Sequence, residues 1–209
     1  MIHCVFIYGI NIPGCPWFTH EGMRKNLNRL AKDDFRLLAI GRRPDTLLIQ
    51  STSEYSPSEA AKWVEKRIGR PTIGRDANVL QSLYHHACSL AQQFTDGFDS
   101  EKWAVKLEDR LWKLGAVFAS HELSGDVTLH STSTVKVLGR FRLDTVIVLK
   151  KEQTDSGKRI TWGERANVVV RKPWELALKR SVVCSSRSIT VINTMLGLLP
   201  DSECCERVI

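Results

Sequence analysis

HCVFIYGINIPGCPWFTH, residues 3–20, decides how the rest of the chain is read. Val5, Phe6 and Ile7 belong to an apolar run too short for a helix and rich in strand formers, so residues 2–8 predict a buried strand. Gly9 and Gly14 admit unusual backbone angles while Pro13 and Pro16 fix theirs, which predicts a rigid connection. Thr19 supplies an N-cap. Met23, Leu27, Leu30 and Ala31 then recur at helical spacing, with Arg24, Lys25, Arg29 and Lys32 mostly off that stripe.

Working outward, Phe35–Ile40 and Thr46–Ser51 predict two strands joined by the turn residues Gly41 to Asp45. Ser56, Pro57 and Glu59 form a strong helix start, and Ala60, Ala61, Val64 and Ile68 carry its stripe to Gly69. With Pro71–Gly74 as a last short strand, the order is βαββαβ, the ferredoxin-like pattern.

Asp76 caps a predicted helix with Leu80, Leu83, Ala87, Leu90 and Phe94 on one side, and Ser100 caps another with Trp103, Leu107, Leu111 and Leu114 inward, ended by Gly115. Beyond it, residues 116–123, 126–130, 134–138, 143–150 and 165–171 predict strands. Pro173 opens a short helix to Arg180, and residues 189–199 form a last apolar helix stopped by Pro200. The expectation is an α+β protein: a ferredoxin-like unit over 1–95, a basic strand-rich unit over 96–200, and a loose polar tail over 201–209. RPTIGR (70–75) and VVVRKP (168–173) each lead into a predicted helix, an echo that leaves internal duplication open.

The 209 residues are 43% apolar and 25% charged, ordinary globular values able to bury a core. No apolar run reaches the ~18 residues of a spanning helix, and no basic region precedes an apolar stretch at the N-terminus, so neither membrane nor secretion is expected. Six scattered cysteines without a C-x-x-C read as free thiols of a cytoplasmic protein. The net charge of +7 is uneven. Residues 136–187 hold 13 Lys/Arg against 5 Asp/Glu, whereas 1–135 hold 16 against 15. A confined basic excess points to a polyanionic partner.

The order of motifs resembles a bacterial domain-of-unknown-function family, number sixteen-ninety-seven. Tyr8-Gly9-Ile10-Asn11-Ile12-Pro13-Gly14 is similar to that family's Arg-Gly-Ile-Asn-Val-Gly-Gly. Its Ser-Gly-Asn-Val-Val-Phe hairpin corresponds to Arg43–Leu48, and its Thr-Thr-Arg-Asn-Trp-x-Thr to Ser185–Val191. Tyr8 stands where the family has Arg, Pro13 where it has Gly, and Ser188, Ile189 and Val191 where it has Asn, Trp and Thr. The resemblance implies a tandem ferredoxin-like α+β fold and no activity. Of the family's polar residues, Asn11 and Arg187 remain.

The candidate chemistry follows from position. The loop of Gly9, Asn11 and Gly14 lies between strand and helix, where backbone N–H groups hold anions, and Arg187 would complete an anion site there if the fold brought them together. No P-loop or dinucleotide fingerprint is present. His85 and His86 point about 100° apart on a helix, and no histidine has a ligand partner at metal spacing, so no metal and no cofactor are expected. The paired acids Asp33-Asp34 and Glu108-Asp109 read as solvated helix surface. The basic segment is more informative. Lys136, Arg140 and Arg142 share one parity of a strand, Lys150, Lys151, Lys158 and Arg159 flank the next hairpin, and Arg171-Lys172 end another strand, with Trp162 and Trp174 among them. Cations and rings on a sheet surface predict binding of RNA or single-stranded DNA. The alternatives are a subunit docking an acidic protein, and an enzyme acting on a phosphorylated substrate at the Gly9 loop.

Overall fold

In the computed structural model, residues 1–28, 34–52, 54–95, 97–120, 127–153, 155–159 and 162–197 are described, without the side chains of 162–167. Expectations for Leu30, Ala31, Asp33, His121, the turn at 124–126, Trp162 as a stacking ring, Pro200 and the tail with its two cysteines lie outside them.

β1 (Ile2–Ile7) is buried from His3 onward, as its unbroken apolar run requires. Thr19 caps α1 (His20–Asn28), its Oγ1 accepting from the Gly22 N–H at 3.0 Å, and Met23 and Leu27 turn inward. β2 (Phe35–Ile40) and β3 (Thr46–Ser51) form the expected hairpin. α2 (Pro57–Ile68) opens with a reciprocal capping box: Ser56 Oγ accepts from the Glu59 N–H at 3.3 Å, and the Ser56 N–H donates to the Glu59 carboxylate at 2.8 Å. β4 (Thr72–Asp76) runs so close to the start of α2 that a Cβ on Gly74 would lie 1.8 Å from the Pro57 carbonyl oxygen. The four strands pair antiparallel in the order β2-β3-β1-β4. α1 and α2 cover one face, where Val5, Ile7, Leu47 and Ile49 meet Met23, Leu27 and Val64.

Asp76 caps α3 (Ala77–Phe94) through the Asn78 N–H at 2.8 Å. The helix expected over 100–115 is instead a hairpin. β5 (Phe98–Asp99) and β6 (Ala104–Leu107) precede β7 (Arg110–Ala119), and Glu108 and Asp109 form the turn with φ of 53° and 56°. Those paired acids therefore sit on a strand turn, not a helix surface. Spacings of three and four residues fit one helix face, but they equally place apolar residues on both arms of a hairpin, and the left-handed turn selects the latter. β8 (Val135–Phe141) and β9 (Thr145–Lys151) form as expected, whereas Val127–His130 carries no strand. The strand expected over 165–171 is a second correction, because α4 (Trp162–Leu178) runs through it and holds Pro173 in its interior. The β-branched run Val168–Val170 favours a strand, but tertiary packing overrides it. Val170 and Trp174, one helical turn apart, dock on Val117, Val146 and Val148. β10 (Cys184–Ser188) leads into α5 (Ile189–Leu196), capped by Ser188.

The second sheet repeats the first. β7 pairs with β9 on one side and with β10 on the other, β8 lies outside β9, and the order β8-β9-β7-β10 matches β2-β3-β1-β4. Register agrees as well: Phe6 lies opposite Thr46 and Ile73, and Phe118 opposite Thr145 and Ser185. Register shifts fall at Leu37/Ala39 and at Val137/Gly139. β4 passes into α3 as β10 passes into α5. The repeated strand order thus sets residues 72–76 beside 184–188 as counterparts, not the 70–75 and 168–173 segments of the sequence echo.

The sheets face each other through one core. Cys4, Phe6 and Leu48 oppose Trp112, Leu114, Ala116, Phe118, Ile147 and Leu149, with α3 and α5 completing the cluster. At its centre Phe6 stacks on Phe118, ring centroids 4.7 Å apart and planes 15° apart. An arginine covers each ring, Arg187 over Phe6 and Arg75 over Phe118. Each arginine crosses to the other unit. Arg75 bonds Asp144 Oδ2 at 2.5 Å and the Ala119 carbonyl at 3.1 Å. Arg187 bonds the Asp45 carbonyl at 2.8 Å and the Ile7 carbonyl at 3.1 Å, reaches Thr46 Oγ1 at 3.1 Å, and lies 3.6 Å from the Asp45 carboxylate. Burial pushes both guanidinium pKa values down and the aspartate facing each pushes back.

Two predictions follow from this packing. Asp144→Ala leaves Arg75 buried without its counter-ion and should lower stability by about 3 kcal/mol in urea denaturation. Asp45→Ala should cost about 1–2 kcal/mol, since Arg187 keeps four other acceptors, the carbonyls of Ile7, Asp45 and Ser186 and the Thr46 hydroxyl. A larger loss at Asp45 would contradict this account. Secondly, His3 is fully buried, its Nε2 2.7 Å from Ser51 Oγ and its Nδ1 without a partner among the described residues. Burial, then the nearby N-terminus, hold its pKa below 6.5, against Asp76. Below that pH the unfolded chain takes up a proton that the folded one refuses. Stability should therefore fall by up to about 1.4 kcal/mol per pH unit below 6.5, until the folded-state pKa is reached, and His3→Gln should remove this component. Identical pH profiles for the two proteins would contradict it.

Candidate nucleic-acid interface

Residues facing each other across paired strands share a sheet face. Lys136 lies opposite Leu149 on the central-core face, whereas Arg140 lies opposite Val146 on the face that α4 covers. The bulge between them reverses the alternation, so the single cationic face expected from Lys136, Arg140 and Arg142 does not form. Lys136 sits 3.9 Å from Glu108 and near the Trp112 ring, and Arg140 donates to the Val127 carbonyl. Arg142 projects from the β8–β9 turn at φ 59° and is exposed. Lys150 is only 6% exposed, opposite Val135, and burial pushes its pKa down. Lys151 lies on the other face at 3.3 Å from Asp155. Lys158 is exposed, and Arg159 lies 3.8 Å from Glu152.

Arg171 and Lys172 stand on α4 rather than at a strand end. Arg171 donates to the Tyr8 hydroxyl at 3.1 Å and pairs with Glu175 at 3.6 Å, tying α4 to the end of β1. Lys172 is exposed, and one turn on is Leu176, followed by Lys179 and Arg180 just past the helix end. These four surround a shallow depression with Glu175 and Ser181. Lys172, Lys179 and Arg180 have no carboxylate within ion-pair distance among the described residues. Glu175 is committed to Arg171 and to the Val182 N–H at 3.2 Å. Lys179 and Arg180 are missing from the sequence-derived set, although they lie within the same charge-rich segment.

The Gly9–Gly14 loop is closed on itself. Asn11, at φ 54°, accepts from the Phe18 N–H at 2.6 Å and donates to the Phe18 carbonyl at 3.0 Å. The N–H groups of Asn11 and Cys15 donate within the loop, to Pro16 and Ile12. Gly9 and Gly14 hold φ of 63° and 78°, and a Cβ on Gly9 would lie 2.4 Å from Arg70 Nη2. The arginine at this loop is therefore Arg70, which also reaches Cys15 Sγ at 3.9 Å. Arg187, expected there, is held inside the core.

The aromatic residues also change roles. Trp174 is fully buried and cannot stack on a base, whereas Trp17 is 73% exposed and Ile12, in the same loop, 47%. A tryptophan in a Gly/Pro loop is the signal that could have marked it. The His86 ring lies tilted at 41° to Phe141, His20 meets the Gly41 carbonyl at 2.9 Å, and no three metal-ligating side chains gather among the described residues. Burial pushes the thiols of Cys4 and Cys184 up to about 12, which leaves them inert at neutral pH. No helix among the described residues is long and apolar enough to cross a membrane.

Asn11→Ala removes two hydrogen bonds and a residue suited to positive φ, so it should cost about 1–3 kcal/mol. Limited proteolysis should then cut first within residues 9–18, and cleavage elsewhere would contradict the closure assigned to Asn11. Comparison with family models, with curated proteins and with solved structures found no match for this chain.

Proposed function

We propose that the chain is a non-catalytic, cytoplasmic protein that binds RNA or single-stranded DNA and is built from two ferredoxin-like units. The strand order shared by both sheets supports the second part, and it is the arrangement that the family resemblance implies. Free thiols at Cys4, Cys15, Cys88 and Cys184 suit a reducing compartment. The observation that carries the binding reading is the exposed cluster of Lys172, Lys179 and Arg180, cations without carboxylate partners among the described residues. Charges left uncompensated on a rigid helix end meet phosphates at little reorganisation cost. Through Arg171 and Tyr8 the same helix adjoins the loop that exposes Trp17.

A second reading is favoured by Leu176, 79% exposed amid these cations. Phosphates have no use for that apolar contact, whereas an acidic protein partner does.

Fluorescence anisotropy with a labelled single-stranded oligonucleotide tests the first reading. Binding should weaken steeply with salt, and Lys172→Glu/Lys179→Glu/Arg180→Glu should reduce the log–log salt slope by about 2. Absence of binding at low salt, or an unchanged slope in the variant, rejects it. Recovery of an acidic protein from nuclease-treated lysate by the wild type, and not by the variant, would favour the second.

A further inference from the structure

We infer that the Gly9–Phe18 loop is a nucleotide subsite in which Trp17 stacks on a base and Arg70 meets the adjoining phosphate. The inference rests on the nucleic-acid reading and adds to it the element that distinguishes bases from bare charge.

Three features support it. First, Trp17 is the most exposed aromatic residue among the described residues, 73% in water, and Ile12 of the same loop is 47% exposed. An indole this exposed can offer its ring to a base. Second, the loop is pre-organised. The paired Asn11–Phe18 hydrogen bonds bracket residues 12–17, the Asn11 N–H donates to the Pro16 carbonyl at 2.9 Å, and Pro13 and Pro16 limit the remaining torsions. Ordering a ring costs little when its loop is already fixed. Third, Arg70 packs on Gly9 and reaches Cys15, two residues before Trp17, and no carboxylate pairs with it among the described residues. Its guanidinium is thus a cation at the loop that carries the ring, and a cation together with a stacking ring is the pairing that single-strand binders use.

Charge complementarity favours a nucleic acid over an apolar partner. Tyr8, at the head of the loop, is bonded by Arg171, whose neighbour Lys172 opens the cationic cluster. A single strand is thereby offered phosphate contacts on α4 and a stacking contact on the loop.

The test compares three probes on the full chain: oligo(dT), inorganic polyphosphate of matched charge, and polyglutamate. Trp17→Ala should weaken oligo(dT) binding by about 5- to 100-fold and leave polyphosphate within about twofold. Trp17→Phe should restore most of the affinity, because a smaller ring still stacks. The Lys172/Lys179/Arg180 charge reversal should weaken oligo(dT) and polyphosphate alike, which separates the two proposals. Unchanged oligo(dT) affinity in Trp17→Ala overturns the subsite while leaving the α4 reading intact. Equal loss for oligo(dT) and polyphosphate also overturns it, since the loop would then serve only charge. Trp17-dependent binding of polyglutamate without binding of oligo(dT) overturns it in favour of an acidic protein. Wild-type binding to none of the probes removes both proposals.

Discussion

The reciprocal arginine contact between the two units is the constraint on which the rest of this structure depends. A guanidinium taken out of water is costly, and it persists only where acceptors and a counter-ion surround it. Arg75 leaves β4 to reach Asp144 and the end of β7, and Arg187 leaves β10 to reach Asp45 and the end of β1. Each caps the stacked Phe6–Phe118 pair from its own side. The aspartates are themselves fixed: Asp45 accepts from the Thr46 hydroxyl at 3.1 Å and Asp144 from the Thr145 hydroxyl at 3.0 Å. Within its own unit each arginine bonds the carbonyl of the residue before it, and its counter-ion comes from the other unit. The halves therefore share one core despite the composition change near residue 95.

That arrangement limits where a partner can bind. The inner face of each sheet is occupied by the other sheet together with α3 and α5, and the outer faces by α1 and α2 or by α4. A sheet-surface platform of cations and rings, the reading suggested by the basic strands, is largely covered, although the β6–β7 hairpin keeps an open side on which Lys106 lies opposite Leu111. Besides that side, the outside of α4 with the turn that follows it and the loops at strand ends are open to contact. The cations without carboxylate partners among the described residues and the exposed tryptophan are found on α4 and on the loops.

Much of the N-terminal unit was legible because its signals are local. Capping residues at Thr19, Ser56 and Asp76, turn chemistry at 41–45 and a clean change of period each specify a boundary without reference to distant residues. The C-terminal half was less legible where local signals compete. Val168–Val170 favours a strand, yet docks as a helix because Val170 and Trp174 fill the same outer core. Trp103 to Leu114 fits a helix stripe, yet folds as a hairpin once Glu108 and Asp109 adopt left-handed angles. Of the candidate site, the enrichment of charge in 136–187 was visible, but its parity was not, because one extra residue at the bulge before Gly139 turns Lys136 and Arg140 to opposite faces.

The sequence by itself determined the α+β class, the order of the first unit, the rigidity of the Gly9 loop and the confinement of positive charge to one segment. These depend on torsional preference, capping and composition, which act over a few residues. Only the tertiary structure decided that Lys150 and Arg187 are buried while Lys172, Lys179 and Arg180 are exposed without carboxylate partners among the described residues, that Arg70 rather than Arg187 attends the Gly9 loop, and that the strand order is repeated. Burial and pairing are set by residues brought together from more than a hundred positions apart, as Arg171 and Tyr8 are, and spacing along the chain carries no record of such encounters.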